Sequence, residues 1–235
     1  MTDNRTISLA IPTWNRNDML FEAFEKVYDD PRISEIVVID DCSDLDLFHA
    51  VKEKCDKLQK VRLIRNIVNV DCYQNKYRAI SFINNDFGIL LDSDNSIDKK
   101  YIDKLYEIEK WDPRIVYMPS FAMPLFSYEQ YAGVTFSKEN IAKFIDLPMV
   151  STCLNCMNYF VSKTEYCKVW QSDITPHTAD SILQNYNWMV AGNGIFIVPH
   201  LSYSHRVHDS SHYKLNNHKT GNLYNEIENK IRKLL

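Results

Sequence analysis

The sequence predicts an α/β fold: a mostly parallel central sheet with helices on both faces. Two observations carry this. Apolar runs alternate four times with helix-period segments in the first 110 residues, on short connections, a pattern that demands right-handed crossovers. Two of these runs also stop abruptly at carboxylates, Glu35–Ile39 at Asp40-Asp41 and Phe87–Leu91 at Asp92-Ser93-Asp94. Charge therefore collects at the carboxyl edge of the sheet, where open α/β sheets bind ligands.

The elements follow in order. Ile7–Ile11 is a short apolar strand closed by Pro12, and Asp18 can cap a helix that puts Leu20, Phe21, Phe24, Val27 and Tyr28 on one face. Strand Glu35–Ile39 leads to a helix marked by Phe48, Val51, Cys55 and Leu58, then to strand Val61–Ile64. Tyr73, Tyr77, Ile80 and Ile83 mark the next helix. Phe87–Leu91 is too short and too continuously apolar for an amphipathic helix and reads as a strand buried on both faces. Asp98 then caps a helix over Lys99–Lys110.

The second half is less regular. Ile115–Met118 reads as a strand broken by Pro119, and Met123–Tyr131 as an aromatic loop. Leu154–Val161 is a further strand, Lys163–Gln171 a helix, Asp180–Val190 a helix and Ile195–Val198 a strand. The tail carries Leu223, Ile227, Ile231 and Leu234 on one face, which suits docking on the domain and also allows peripheral membrane contact. Three segments result: 1–110 as a ligand-binding half, 111–221 as the other half of the same domain, and 222–235 as a C-terminal amphipathic helix.

With 235 residues and 45% hydrophobic composition the chain can bury a substantial core, and a net charge of −4 excludes a general nucleic-acid binder. Without an 18-residue apolar run or an apolar signal core behind Met1-Thr2-Asp3-Asn4-Arg5, a cytoplasmic protein is expected. Its six cysteines are then free thiols, and the lone Cys153-x-x-Cys156 lacks the second pair that a zinc site needs.

Pro12-Thr13, Asp40-Asp41 and Asp92–Asp94 can face one ligand from adjoining strand ends. The hard oxygen donors of Asp92 and Asp94 suit Mg²⁺ or Mn²⁺ carrying a phosphate. Their other reading is as turn formers or caps. An EF-hand is rejected because Ile97 stands where that loop needs glycine and a strand leads in. Glycine is only 5 of 235 residues and no Gly-rich phosphate loop occurs, so a nucleotide here must be held by side chains and a metal.

Taken together, Ile11–Arg16, Val38–Ser43, Leu90–Asn95 and Tyr203–His208 resemble the GT-A glycosyltransferases, family 2 in particular, across nearly the whole chain. The resemblance implies the GT-A fold and a metal-dependent inverting transfer from a nucleotide-sugar donor to a glycan or other hydroxyl acceptor. It implies donor binding by Pro12, Thr13, Asp41 (base), Lys76, Asp92 (ribose), Ser93 and Arg206. Mn²⁺ or Mg²⁺ would sit on Asp94 and His208, with His205 as alternative to His208. Two departures stand out: Asp71 replaces a usual glycine, and Lys76 falls where arginine is expected, offering a point charge without a bidentate fork.

The family's carboxylate base maps onto Asp180, preceded by Ala179 where glutamate is usual; Asp173 is its rival and helix capping its other reading. His205 and His208 read equally as surface histidines. Trp111, Phe121, Phe126, Tyr128, Tyr131 and Trp188 include candidates for a sugar platform, though most such rings belong to a core. Two other functions remain to be discriminated: a sugar nucleotidyltransferase, which would release pyrophosphate, and a catalytically silent nucleotide-sugar-binding module.

Overall fold

The computed structural model describes residues 5–209, 211, 214 and 217–234. The N-terminal reading on residues 1–4 and the last tail residue, Leu235, fall outside them. The first half alternates as expected: β1 (Ile7–Thr13), α1 (Asp18–Glu22), β2 (Ile33–Asp40), α2 (Leu45–Cys55), β3 (Val61–Arg65), α3 (Asp71–Ser81), β4 (Phe87–Leu90) and α4 (Lys99–Tyr106). The second half holds β5 (Ile115–Met123), β6 (Phe126–Ser127), β7 (Thr135–Phe136), α5 (Val150–Leu154), β8 (Tyr159–Ser162), α6 (Lys163–Lys168), α7 (Asp180–Val190), β9 (Gly194–Ser204) and α8 (Leu223–Arg232).

One sheet runs through the protein in the order β3-β2-β1-β4-β8-β5-β9-β7, with β6 on β5. The four N-terminal strands are parallel, and β8 enters antiparallel beside β4. Because β1 continues to β2 and β3 on one side and is joined by β4 on the other, the winding direction reverses between β1 and β4. That switch opens a crevice at the carboxyl ends, just where Pro12-Thr13 and Asp92 lie. Every residue of β1 is buried, and so are Ile89 and Leu90 of β4, which is why these strands read as continuous apolar runs. Gly88 packs closely: a Cβ there would lie 2.6 Å from Ile83 Cδ1, so the Ile83 side chain would have to shift.

Several elements differ from the sequence reading for identifiable reasons. α1 is helical only to Glu22; Phe24 and Val27 then donate to the carbonyls three residues back, so tight turns carry the same buried face. Asp18 is its first residue, after Asn17. Asp98 does cap α4, accepting from the Lys100 and Tyr101 amides, but the helix stops at Tyr106 instead of Lys110. β5 passes through Pro119 because the pairing with β9 shifts register between Pro119 and Phe121, and His200 opposite takes a φ of +59°. β9 likewise extends to Ser204.

The segment read as strand Leu154–Val161 is instead the end of α5, a non-repetitive stretch and then β8. The Asn185 side-chain amide, on α7, donates to the carbonyls of Leu154 (2.8 Å) and Cys156 (3.1 Å), replacing a strand ladder there. Helix α6, capped by Ser162, ends at Lys168, three residues short of the expected Gln171. α8 docks on the domain, burying Ile227 and Ile231 against α7 and the turn Ile141–Lys143. Tyr224 OH lies 2.5 Å from Ser151 Oγ and Arg232 pairs with Asp146 at 2.9 Å. No described helix is long and apolar enough to cross a membrane.

Candidate active site

A cleft of about 1270 Å³ runs along the carboxyl edge of the sheet and into the second half. It is lined by Pro12, Thr13, Asp41, Lys76, Asp92, Ser93, Asp94, Asp180 and Arg206, nine of the ten residues singled out from the sequence. The tenth, His208, reaches it through Asp94: its Nε2 lies 3.0 Å from Asp94 Oδ2. The rival carboxylate Asp173 is exposed and off the cleft lining. Of the six aromatic residues, Phe126 and Tyr128 line the cleft, whereas Trp111 and Trp188 are buried in the core.

At the end of β2 the adjacent carboxylates separate in role. Asp40 is tied to Ser43, by its hydroxyl and by its amide at 3.0 Å, and to Arg65 at 3.3 Å, so it holds the turn. Asp41 Oδ1 accepts from the Asn66 amide group and the Val70 backbone, both at 2.8 Å. No described residue donates to Asp41 Oδ2, which is left with acceptor capacity in a residue that lines the cleft. Burial pushes Asp41 above the usual carboxylate range, opposed by those two donors. Asn75 braces the pocket floor, accepting from Asn66 at 3.0 Å and donating to the Ile39 carbonyl at 3.0 Å. The buried Thr13 hydroxyl beside it has no partner among the described residues.

Beyond β4 the chain turns at Asp92–Asn95 and is stitched to the end of β9. The Ser96 and Ser204 backbones exchange hydrogen bonds of 3.0 and 2.8 Å, and the Arg206 amide donates to Asn95 Oδ1 at 3.1 Å. This stitching carries His208 to Asp94. Arg16 Nη2 lies 3.7 Å from the same Asp94 oxygen. Arg206 lines the cleft but turns its guanidinium to Glu22, 2.5 Å away. Burial holds His205 below its ordinary pKa against the pull of Asp92 and Asp94, and its buried Nδ1 is without a described partner. Among the described residues no three His, Cys, Asp or Glu side chains gather as a metal site; Asp94 and His208 form a pair.

Asp92 and Asp180 meet at Lys76. The Lys76 ammonium lies 2.8 Å from Asp180 Oδ2 and 3.4 Å from Asp92 Oδ1. Burial would lower this ammonium's pKa, yet the two carboxylates outweigh it and hold the group well above its ordinary range. Asp180 is the first residue of α7, not its cap, and its Oδ1 accepts from the Ser181 amide at 2.8 Å. Asn158, at the mouth of β8, clamps Asp92 twice: Oδ1 accepts from the Asp92 amide at 2.8 Å, and its side-chain amide donates to Asp92 Oδ2 at 3.0 Å. Asn158, Asn66 and Asn75 escaped the sequence reading, and Arg16, quoted only as the end of Ile11–Arg16, was given no role; a neutral amide 66 residues away from the carboxylate it clamps, as Asn158 is, leaves no spacing signal. The only hint was Asn158's place beside a strand.

Residues 8–163 match the sequence family described as Glycosyl transferase family 2. No curated protein sequence matches the chain. Among solved structures it is similar to S. aureus TarS, with a TM-score of 0.63 and 16% identity over 96% of this chain and 42% of that one. It is also similar to S. aureus TarS 1-349 (TM-score 0.65, 15% identity, 97% and 69% covered) and to that fragment in complex with UDP (0.64, 15%, 97% and 69%). At these identities the likeness is one of fold, and the chain spans less than half of the longer TarS chain.

Proposed function

The chain belongs to glycosyl transferase family 2 and is a glycosyltransferase of GT-A fold, and from that premise we propose that it carries out a metal-dependent, inverting transfer from a nucleotide-sugar donor to an acceptor hydroxyl. The observation that carries this reading is the single buried ammonium of Lys76 shared by Asp92 and Asp180, which fixes the proposed base against the donor side of the same cleft. In this reading the first 110 residues bind the donor, 111–221 supply the acceptor face and base, and 222–235 brace that face from behind. Asp41 Oδ2 accepts a base N–H, the Thr13 hydroxyl and Asp92 serve the nucleoside, and Pro12, Ser93 and Arg206 shape the walls. UDP, bound by the TarS fragment, is the first nucleotide to test.

Asp180 accepts the hydroxyl proton as the acceptor oxygen attacks the anomeric carbon; a carboxylate has lone pairs to spare beyond those given to Lys76 and Ser181. One attack opposite the leaving diphosphate, with one base, inverts the configuration. Asp94 Oδ2 and His208 Nε2, side by side at 3.0 Å, are an oxygen and a nitrogen donor that would hold Mn²⁺ or Mg²⁺. A cation held there would neutralise the departing diphosphate.

The test is to incubate the protein with a panel of UDP sugars, Mn²⁺ and candidate acceptors, and to follow UDP release and the anomeric configuration of the product by NMR. Inverted product supports the proposal. Retained configuration overturns the one-base mechanism, pyrophosphate release would mark a nucleotidyltransferase, and binding without turnover a silent module.

Two variants check the donor side. Asp94→Asn should remove the strengthening of UDP binding by Mn²⁺ seen by calorimetry while leaving metal-free binding intact; an equal Mn²⁺ effect in both proteins would refute the assignment. Asp41→Ala removes a charged acceptor worth about 1.5–3 kcal/mol, so UDP binding should weaken about 10- to 100-fold even without metal. Unchanged affinity would move the base pocket elsewhere.

A further inference from the structure

Two residues outside the catalytic set hold an unusual conformation and touch each other. Asp71, first residue of α3, has a φ of +72°, and His177, in the turn that enters α7, a φ of +51°. This left-handed region favours glycine, and among other residues Asn, Asp and His are the ones that tolerate it. The glycine expected at position 71 therefore answers a backbone need that aspartate still meets. Aspartate adds what glycine lacks, a carboxylate, and its Oδ2 lies 3.3 Å from His177 Nδ1.

Both ends of this pair lead into the cleft. On the donor side, the Asp71 amide donates to Asn69 Oδ1 at 3.1 Å, the Asn69 side chain donates to the Asp41 carbonyl at 3.1 Å, and Val70 donates to Asp41 Oδ1. On the other side, His177 opens the turn His177–Ala179 that delivers Asp180. The Cys72 thiol spans the joint, 3.6 Å from both the His177 carbonyl and Asp180 Oδ2. Thr178 is fixed behind by Thr220, with its hydroxyl 2.6 Å from Thr220 Oγ1.

We propose that Asp71 and His177 are a positioning pair that couples the nucleotide-reading loop 69–71 to the turn bearing Asp180, so that a filled donor pocket sets the base for attack. Neither residue touches reacting atoms. The proposal rests on the reading of Asp180 as base.

The test is a double-mutant cycle of Asp71→Gly and His177→Gly, both of which suit positive φ and so remove the pair without straining the backbone. The readouts are kcat and KM for the UDP sugar that the wild type turns over fastest, and UDP affinity by calorimetry. A misplaced base costs rate more than binding, so each single variant should lose about 10- to 100-fold in kcat with donor KM and UDP affinity within about twofold. The double variant should be no slower than the slower single, since one interaction is lost only once. His177→Asn, which keeps a donor and tolerates the turn, should recover part of the rate. Wild-type kcat in either single variant, or a double variant as slow as the product of the two, overturns the pair. If one single variant does not fold, the other carries the test alone. Asp180→Asn is run alongside: if it transfers sugar at the wild-type rate, the base reading fails and the coupling with it. If it is inactive while both glycine variants keep full kcat, only the coupling fails.

Discussion

Asp180→Asn is expected to lower sugar transfer by about 10²–10⁴-fold, the usual contribution of a general base, while leaving UDP and Mn²⁺ binding close to wild type. The acceptor hydroxyl has a pKa far above neutrality and must lose its proton as it attacks. Asparagine keeps the size of the side chain, and its one oxygen can keep the bond from either Lys76 or Ser181, which reach different carboxylate oxygens in Asp180, but it cannot take that proton. The ammonium retains Asp92 at 3.4 Å, so the variant still folds around a paired cation. Asp173→Asn is the control: that residue is exposed and off the cleft, and its variant should be near neutral. Rates for both, with melting temperatures to show that each is folded, decide the matter. Transfer at close to the wild-type rate by Asp180→Asn would mean that the base lies outside α7.

The donor half was legible because its signals are local. An apolar run too short for a helix, ending in carboxylates, can only be a central strand whose last residues leave the core, and β2 and β4 do this. Asp98 was legible as a cap because capping needs only the next few amides. Contacts made across the chain left no such trace. The stretch 154–158 looks like a strand, yet the Leu154 and Cys156 carbonyls are met by Asn185, some thirty residues on. Pro119 looks like a breaker, yet a shift of register in β9 absorbs it. Lys76 was read as a point charge for the donor; its partner Asp180 is 104 residues away. Arg206 reaches Glu22 across 184 residues. The replacement of glycine by Asp71 was visible, but its meaning needed the backbone angle and His177.

Lys76→Met should cost about 3–5 kcal/mol of stability, the usual result of stripping one partner from a buried charge pair. The side chains of Lys76 and Asp180 are 9% and 7% exposed, so methionine would leave Asp180 with its charge in a nearly closed site and only Ser181 and the weak Cys72 thiol as donors. Asp92 suffers less, being 31% exposed and still clamped by Asn158. Adding Asp180→Asn to Lys76→Met should recover part of the loss, because no uncompensated charge then remains at α7, and this non-additivity separates a charge effect from a packing one. The pH dependence has a definite sign. Lys76 titrates in the folded protein well above its ordinary value, so its contribution is complete below the unfolded lysine value of about 10.4 and is lost only as pH rises through the folded one. The gap between wild type and Lys76→Met in urea unfolding should therefore stay level from about pH 7 to pH 9. A variant within about 1 kcal/mol of the wild type would show that Asp180 does not depend on this ammonium, and Lys76 would then be free to serve the donor directly.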